Sequence, residues 1–417
     1  MKRTYLLAFC LILAFACNRK KIENISKENI LPMVDSGLSP EELEDKILGM
    51  LVGSAIGDAM GAPTEMWPRT DIDLQYGFVE TLDSMVREVS PEGIWIPNLP
   101  AGGTTDDTRW KQLTVNYLLT QNPYSLKSQD FAQYIFDRYS TYVNELKLTE
   151  GVNSSAIEKA NLKLTWLQEW AKVSQPYLTG NVDGYADSLS RFYGGEMVCA
   201  GLLYSPTIGA IYPANPEKAY SEAYKLSIFD IGYARDLSSL AASMTAAGMK
   251  KDATPEDILS ALRIDPRGYY ESRLVGRTAQ RILIDALSIQ KTALELDSSS
   301  TRLNPQSKGL QFAFQELDKK QQDMPFHAGE IYLEVLTAML YADFDFQGTM
   351  VFLVNYGRDN DTTAAVAGGI LGAFVGFEKL PETSRNKVVQ VSKEQLGIDL
   401  KVLANKLTSH ILKSTKP

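Results

Sequence analysis

Two stretches of this chain carry a small residue at every fourth position. Gly49, Gly53, Gly57 and Gly61 form the first, and Ala364, Gly368, Gly372 and Gly376 form the second. Residues four apart share one face of an α-helix. Each glycine in a helix interior costs about 1 kcal/mol relative to alanine. A sequence that accepts three or four of them along one stripe needs another backbone to approach that stripe closely. Two such stripes predict a pair of helices that cross nearly backbone to backbone. The same spacing serves helices that dimerise in lipid, but Asp58 inside the first stripe and the shortness of the run argue against a membrane pair.

Both stripes touch acidic turns. The first runs through Gly57-Asp58-Ala59-Met60-Gly61-Ala62-Pro63-Thr64-Glu65, and the second follows Gly357-Arg358-Asp359-Asn360-Asp361-Thr362-Thr363. A third acidic turn, Thr104-Thr105-Asp106-Asp107-Thr108, follows Gly102-Gly103 and opens a helix. Taken singly, each is explained by helix capping, because Asp and Thr satisfy open N–H groups and complement the helix dipole. Taken together, they stack more carboxylates than caps need. Like charges that close are costly unless a cation compensates them. Pairing of the two stripes would bring Asp58 and Glu65 toward Asp359 and Asp361.

The rest of the chain supports one mainly α-helical domain. Helical periodicity runs through Trp110, Leu113, Tyr117 and Leu118, then over 129–147 and 155–173. Further helices are predicted at about 216–226, 233–248, 255–263, 271–296, 310–322, 328–341 and 347–356. Asn215-Pro216 and Thr254-Pro255 read as an N-cap followed by proline in the first turn. Residues 67–103, including Ile94-Trp95-Ile96, and 192–216 read as long irregular segments of the kind that line sites. The domain is taken as 40–417, with a motif-bearing core at 43–378 and closing helices at 381–417. Alternating strand patterns are almost absent.

Residues 1–16 resemble a signal peptide, with basic Lys2 and Arg3 before an apolar run too short to span a bilayer. The run ends Ala16-Cys17, which predicts a bacterial lipoprotein acylated at Cys17. Residues 17–39 would then be a polar tether, and the location the bacterial cell envelope, on its periplasmic or surface face. Membrane contact is expected only through that lipid. Cys199 would be the remaining thiol of the mature chain, and a buried apolar role is expected for it. A net charge of −9 argues against an electrostatic nucleic-acid binder. A monomer is expected.

The candidate ligand set is all oxygen: Glu65, Asp106, Asp107, Asp359 and Asp361, with the hydroxyls of Thr105 and Thr362. Hard oxygen donors select Mg²⁺, Mn²⁺ or Ca²⁺. The chain has 2 His and 3 Cys, too few for a zinc site of the usual kind. Five carboxylates would match two divalent ions, an arrangement that activates water and grips vicinal oxygens.

The three acidic motifs, in this order, resemble the signature motifs of the ADP-ribosylglycohydrolase family. The resemblance covers about 43–378. It implies an all-α fold with two Mg²⁺ or Mn²⁺ ions at the base of a cleft, held by the seven residues just named. It also implies hydrolysis at the anomeric carbon of a ribosyl group, with an ADP-ribosyl compound as substrate. Asp107 and Glu65 are the candidates for the carboxylate that handles the proton.

Where many members of that family have glycine and a small or hydroxylated residue, the third motif has Arg358 and Asn360, both assigned here to substrate. Arg358 could meet an anionic group of the substrate or pair with a neighbouring Asp. Gly195 and Glu196 lie in a stretch only loosely similar to the family's substrate-binding segment. Phe192, Tyr193, Tyr204 and Tyr212 could stack a base, although core packing is the commoner fate of such residues. Hydrolysis of nucleosides or other ribosides is the alternative activity. A ligand-binding lipoprotein without catalysis and a Ca²⁺-stabilised structural module are the alternatives of other classes.

Overall fold

Ser39 accepts a hydrogen bond from the backbone N–H of Glu42, whose carboxylate returns one to the Ser39 N–H. This capping box starts the first helix at Pro40. The computed structural model describes residues 35–86, 98–123, 125–148, 154–271, 274–297 and 303–414. The proposed signal peptide, Cys17, most of the tether and Trp95 lie outside these residues.

Seventeen α-helices make up nearly all the regular structure of the described residues. In chain order they are α1 Pro40–Gly61, α2 Arg69–Tyr76, α3 Asp106–Leu118, α4 Ser128–Leu148, α5 Ser154–Leu178 and α6 Val182–Arg191. Next come α7 Ser205–Ala210, α8 Pro216–Leu226, α9 Ala234–Gly248, α10 Pro255–Ala261, α11 Thr278–Leu296 and α12 Lys308–Asp318. The series closes with α13 Ala328–Tyr341, α14 Phe346–Tyr356, α15 Asn360–Val375, α16 Glu382–Leu396 and α17 Leu400–Ser414. The fold is all-α, as expected. Two strand pieces, β1 Trp67–Pro68 and β2 Gly357–Arg358, pair antiparallel.

The two glycine stripes do face each other. A Cβ on Gly57 would lie 2.0 Å from the carbonyl oxygen of Ala364, and one on Gly372 2.0 Å from that of Gly49. At the acidic end, a Cβ on Gly61 would lie 2.4 Å from the Asp361 backbone. Contacts under 3 Å are sterically excluded, so α1 and α15 can pack this closely only without side chains on those faces. Both helices are buried over most of their length, hence apolar nearly all round. Although α1 is long and apolar enough to cross a membrane, it is a core helix.

Lys46 fixes the far end of the crossing. Its ammonium donates to the carbonyls of Gly248 at the end of α9 and of Ala373 and Phe374 at the end of α15. One cation thus satisfies the open carbonyls of two helices.

Three helices fall where irregular chain or none was expected, and α7 at Ser205–Ala210, with Pro206 in its first turn, is the one inside 192–216. Helix α2 lies inside the 67–103 segment, bounded by Pro68 at its N-cap and by Gly77 with φ +67°. Helix α6 starts behind Asn181, whose side chain accepts from the Gly184 N–H. An aromatic cluster of Trp110, Trp166, Trp170, Tyr204, Phe131 and Phe229 joins α3, α4 and α5 to the segment before α7. Phe192 and Tyr204 belong to this core, and Tyr212 is fully buried. Cys199 is buried, and burial raises its thiol pKa.

Candidate active site

The α1–α15 crossing delivers the first and third acidic motifs to one place. Asn360, at the start of α15, donates to the Thr64 hydroxyl at 2.9 Å and to the Val354 carbonyl. The Met66 N–H donates to the Arg358 carbonyl at 2.7 Å, beside the β1–β2 pairing of Trp67 with Arg358. Glu65 is therefore strapped next to Asp359. Met66 and Arg358, one on each side of this strap, both have positive φ, +64° and +63°. Strain of that kind survives where surrounding structure over-determines the backbone, and it clusters at functional sites.

Glu65, Asp359 and Asp361 each place a carboxylate oxygen within 4.8 Å of the others. Asp359 sits at the N-cap of α15, yet its side chain makes no capping bond. Its carboxylate is instead turned among other acids. Burial, then the charges of Asp361 and Asp107, raise its pKa well above the ordinary value.

The second motif is held from below by Asp58. One oxygen of Asp58 accepts from the Thr105 N–H at 2.8 Å, and the other accepts from the N–H and hydroxyl of Thr108 at 3.0 and 2.6 Å. Asp58 therefore caps α3 from another helix. Burial and Asp107 push its pKa up to about 6. Thr105 serves mainly as the local cap, accepting from the Asp107 N–H.

Asp107 is 1% exposed. One of its oxygens accepts from Lys111 at 2.9 Å and the other from the Thr362 hydroxyl at 3.0 Å. Asp106 is half-buried and open to the cleft; burial and Asp107 push its pKa up to about 7. Arg109 is buried beside Asp106 and Asp58, and burial lowers it to about 10.

Above these acids is a cleft. Glu65, Asp106, Asp359 and Thr362 face it, and Met66, Trp170, Tyr193, Val198, Leu203 and Phe326 supply its apolar wall. The Tyr193 and Phe326 rings meet edge to face, 5.9 Å apart. Bonds from the Cys199 N–H to Phe326 and from the Ala328 N–H to Met197 join the two segments carrying these rings.

Some expected substrate residues lie elsewhere. Asn360 is completely buried and its amide nitrogen is spent on Thr64 and Val354, which fits a residue that positions the motif. Tyr212 is equally buried, with its hydroxyl on the Pro123 carbonyl, and cannot stack a ligand. Arg358 grips Glu330 with both Nε and Nη2 and also donates to the Gln322 carbonyl. Its ion-pair partner is thus a Glu from α13 and not a neighbouring Asp. Gly195 and Glu196 lie on the loop between Tyr193 and Val198, with Glu196 exposed.

The residues that sequence reasoning passed over are Asp58 as a support, Lys111, Glu330, and Glu334, a buried acid whose pKa is raised by burial and by the charges of Glu330 and Asp359. Asp58 was visible inside the first motif, and Lys111 stands four residues after Asp107, a spacing that makes helical neighbours. Glu330 and Glu334 carried no comparable signal.

The donor set fits a hard divalent cation. Glu65, Asp359 and Asp361 are carboxylate oxygens from two segments, and the burial and mutual repulsion that raise Asp359 are what a cation would relieve.

The sequence model of the ADP-ribosylglycohydrolase family matches residues 39–416. The chain belongs to this family. A solved structure titled ADP-ribosylglycohydrolase-related protein complex has the same fold as this family member, with a TM-score of 0.51 at 18% identity. The alignment covers 89% of this chain and 99% of that one. The uncharacterized protein YegU of Escherichia coli K12 is 47% identical over 36 residues. That match spans 9% of this chain and 11% of YegU.

Proposed function

We propose that this protein is a divalent-cation-dependent glycohydrolase that cleaves the bond at the anomeric carbon of a ribosyl group, with ADP-ribosyl compounds as substrates. The observation that carries this reading is the convergence of the Glu65, Asp359 and Asp361 carboxylates, with Glu65 and Asp359 lining a cleft. Family membership supports the reaction class. Glu65, Asp359 and Asp361, with Thr362, would hold the cation; Mg²⁺ or Mn²⁺ suits such oxygen donors. When bound, the cation would polarise a water and grip vicinal hydroxyls of the ribose.

The chain's own groups then divide the work. Of the two carboxylates expected to handle the proton, Glu65 faces the cleft, whereas both oxygens of Asp107 are engaged inside the protein. Glu65 takes the proton role, and the neighbouring acids, which a bound cation would keep ionised, favour an oxocarbenium-like transition state. The apolar wall excludes water from the far side of the sugar.

Acylation at Cys17 would place the enzyme on the bacterial envelope. There the substrates would be free ADP-ribosyl compounds or other ribosides rather than cytoplasmic proteins. Cys17→Ser should release the protein from the membrane fraction; unchanged partitioning refutes the anchor.

The activity is tested on a panel of ADP-ribosyl-arginine, ADP-ribosyl-serine, O-acetyl-ADP-ribose and nucleosides, with Mg²⁺ or Mn²⁺. Release of free ribose or ADP-ribose is the readout, and Asp361→Ala should abolish it. Turnover that persists in chelator, or in Asp361→Ala, refutes the proposal.

A further inference from the structure

The acidic site contains its own cation. Lys111 and Asp107 lie one turn apart on α3, with the ammonium 2.9 Å from the carboxylate and their side chains 1% and 2% exposed. At that burial the ammonium cannot turn to water, and a buried pair broken on one side leaves an uncompensated charge. The other Asp107 oxygen is taken by the Thr362 hydroxyl. Each Asp107 oxygen thus already accepts one hydrogen bond, and one of the two donors is a fixed positive charge. Glu65, Asp359 and Asp361 each place a carboxylate oxygen within 4.8 Å of the others, enough to seat a single ion with the help of water.

We infer that Lys111 takes the place of one of the two cations that the family resemblance implies, so that this chain binds a single divalent ion at Glu65, Asp359 and Asp361. A second divalent ion on Asp107 would stand a few ångströms from a fixed ammonium, and like charges at that range in a dry interior repel strongly. The inference rests on the proposed cation dependence. It makes Lys111 the residue that sets the metal count, acting through Asp107 without touching substrate.

The test is a count of Mn²⁺ on the purified full-length chain. The protein is stripped with chelator, titrated by calorimetry and examined by electron paramagnetic resonance. Wild type should take one Mn²⁺ per chain and give an uncoupled six-line spectrum. Lys111→Met, similar in length but neutral, should take two and show the spectrum of an exchange-coupled pair. Lys111→Arg, which keeps the charge, should stay at one. Two ions on the wild type overturn the inference, and that result stands whether or not the variants fold. A folded Lys111→Met that still takes one ion also overturns it. No Mn²⁺ on any of the three chains overturns the cation-dependent reading beneath it as well.

Discussion

The crossing of α1 and α15 can be tested by two alanines on adjacent residues. Gly368 and Gly369 are both interior to α15, so each gains about 1 kcal/mol of helix propensity on substitution by alanine. They differ in what the new methyl would meet. At 368 it would lie 2.2 Å from the Gly53 carbonyl oxygen, more than 1 Å inside ordinary contact, and that oxygen belongs to a helix backbone. At 369 it would lie 3.1 Å from Cβ of Pro206, a side-chain atom that can yield by a few tenths of an ångström.

Overpacking in a tight core costs about 1–3 kcal/mol, and more where backbone must move. Gly368→Ala should therefore lose about 2 kcal/mol or more net, whereas Gly369→Ala should stay within about 1 kcal/mol of wild type. Urea denaturation in the presence of chelator reads the difference as a shift in midpoint at constant slope. Spreading the helices should also spread Glu65 from Asp359 and Asp361, so Gly368→Ala should bind Mn²⁺ less tightly. If Gly368→Ala is as stable as Gly369→Ala, the claim that the glycines exist for close approach is refuted.

Asp359→Asn should melt at or above the wild-type temperature in chelator, because a like charge is removed from the cluster. At a hundredfold excess of Mn²⁺ over Kd the wild type should gain about 2.7 kcal/mol, a gain the variant should lack in a calorimetric scan. Arg358→Ala should cost about 3 kcal/mol in urea, because it strands the buried Glu330 beside Glu334. It should also speed proteolysis between Lys319 and His327, which the Arg358 bond to Gln322 pins. Asp230 accepts from the Gly201 N–H and the Ser238 hydroxyl, and burial pushes its pKa from 3.8 up to about 6. An acid raised on folding contributes stability below its unfolded pKa and loses it as pH rises through the folded value. Asp230→Asn should therefore flatten the fall in stability between about pH 4 and 6, a difference of roughly 3 kcal/mol by urea titration at each pH.

The glycine crossing was legible because a period of four has one geometric meaning on a helix and because a run of glycines has a cost that demands a reason. The acidic floor was legible for a similar reason, since Glu65, Asp106, Asp359 and Asp361 exceed what capping needs. What the pattern could not show is the direction in which a polar side chain points. Asn360 and Arg358 flank the same carboxylates, yet one is spent on Thr64 and the other on Glu330 from a distant helix. Tyr212 had the composition of a stacking residue and the position of a core one. Helix α2 was hidden because its apolar content is low, with Ile72 its buried residue, although Pro68 and Gly77 bracket it as punctuation.

The Lys46 bond to Ala373 joins groups 327 residues apart in the sequence. A ribosome adding about 5–20 residues per second would take roughly 15–60 seconds to make the intervening chain. Throughout that time the nascent α1 carries an apolar surface whose mate does not yet exist, and it must be shielded by other contacts or by a holdase. Glu65 meets Asp359 only after residue 359 of 417 has been made. A product truncated before α15 would therefore lack the mate of α1 and expose the stretch of helix most apt to stick to its neighbours.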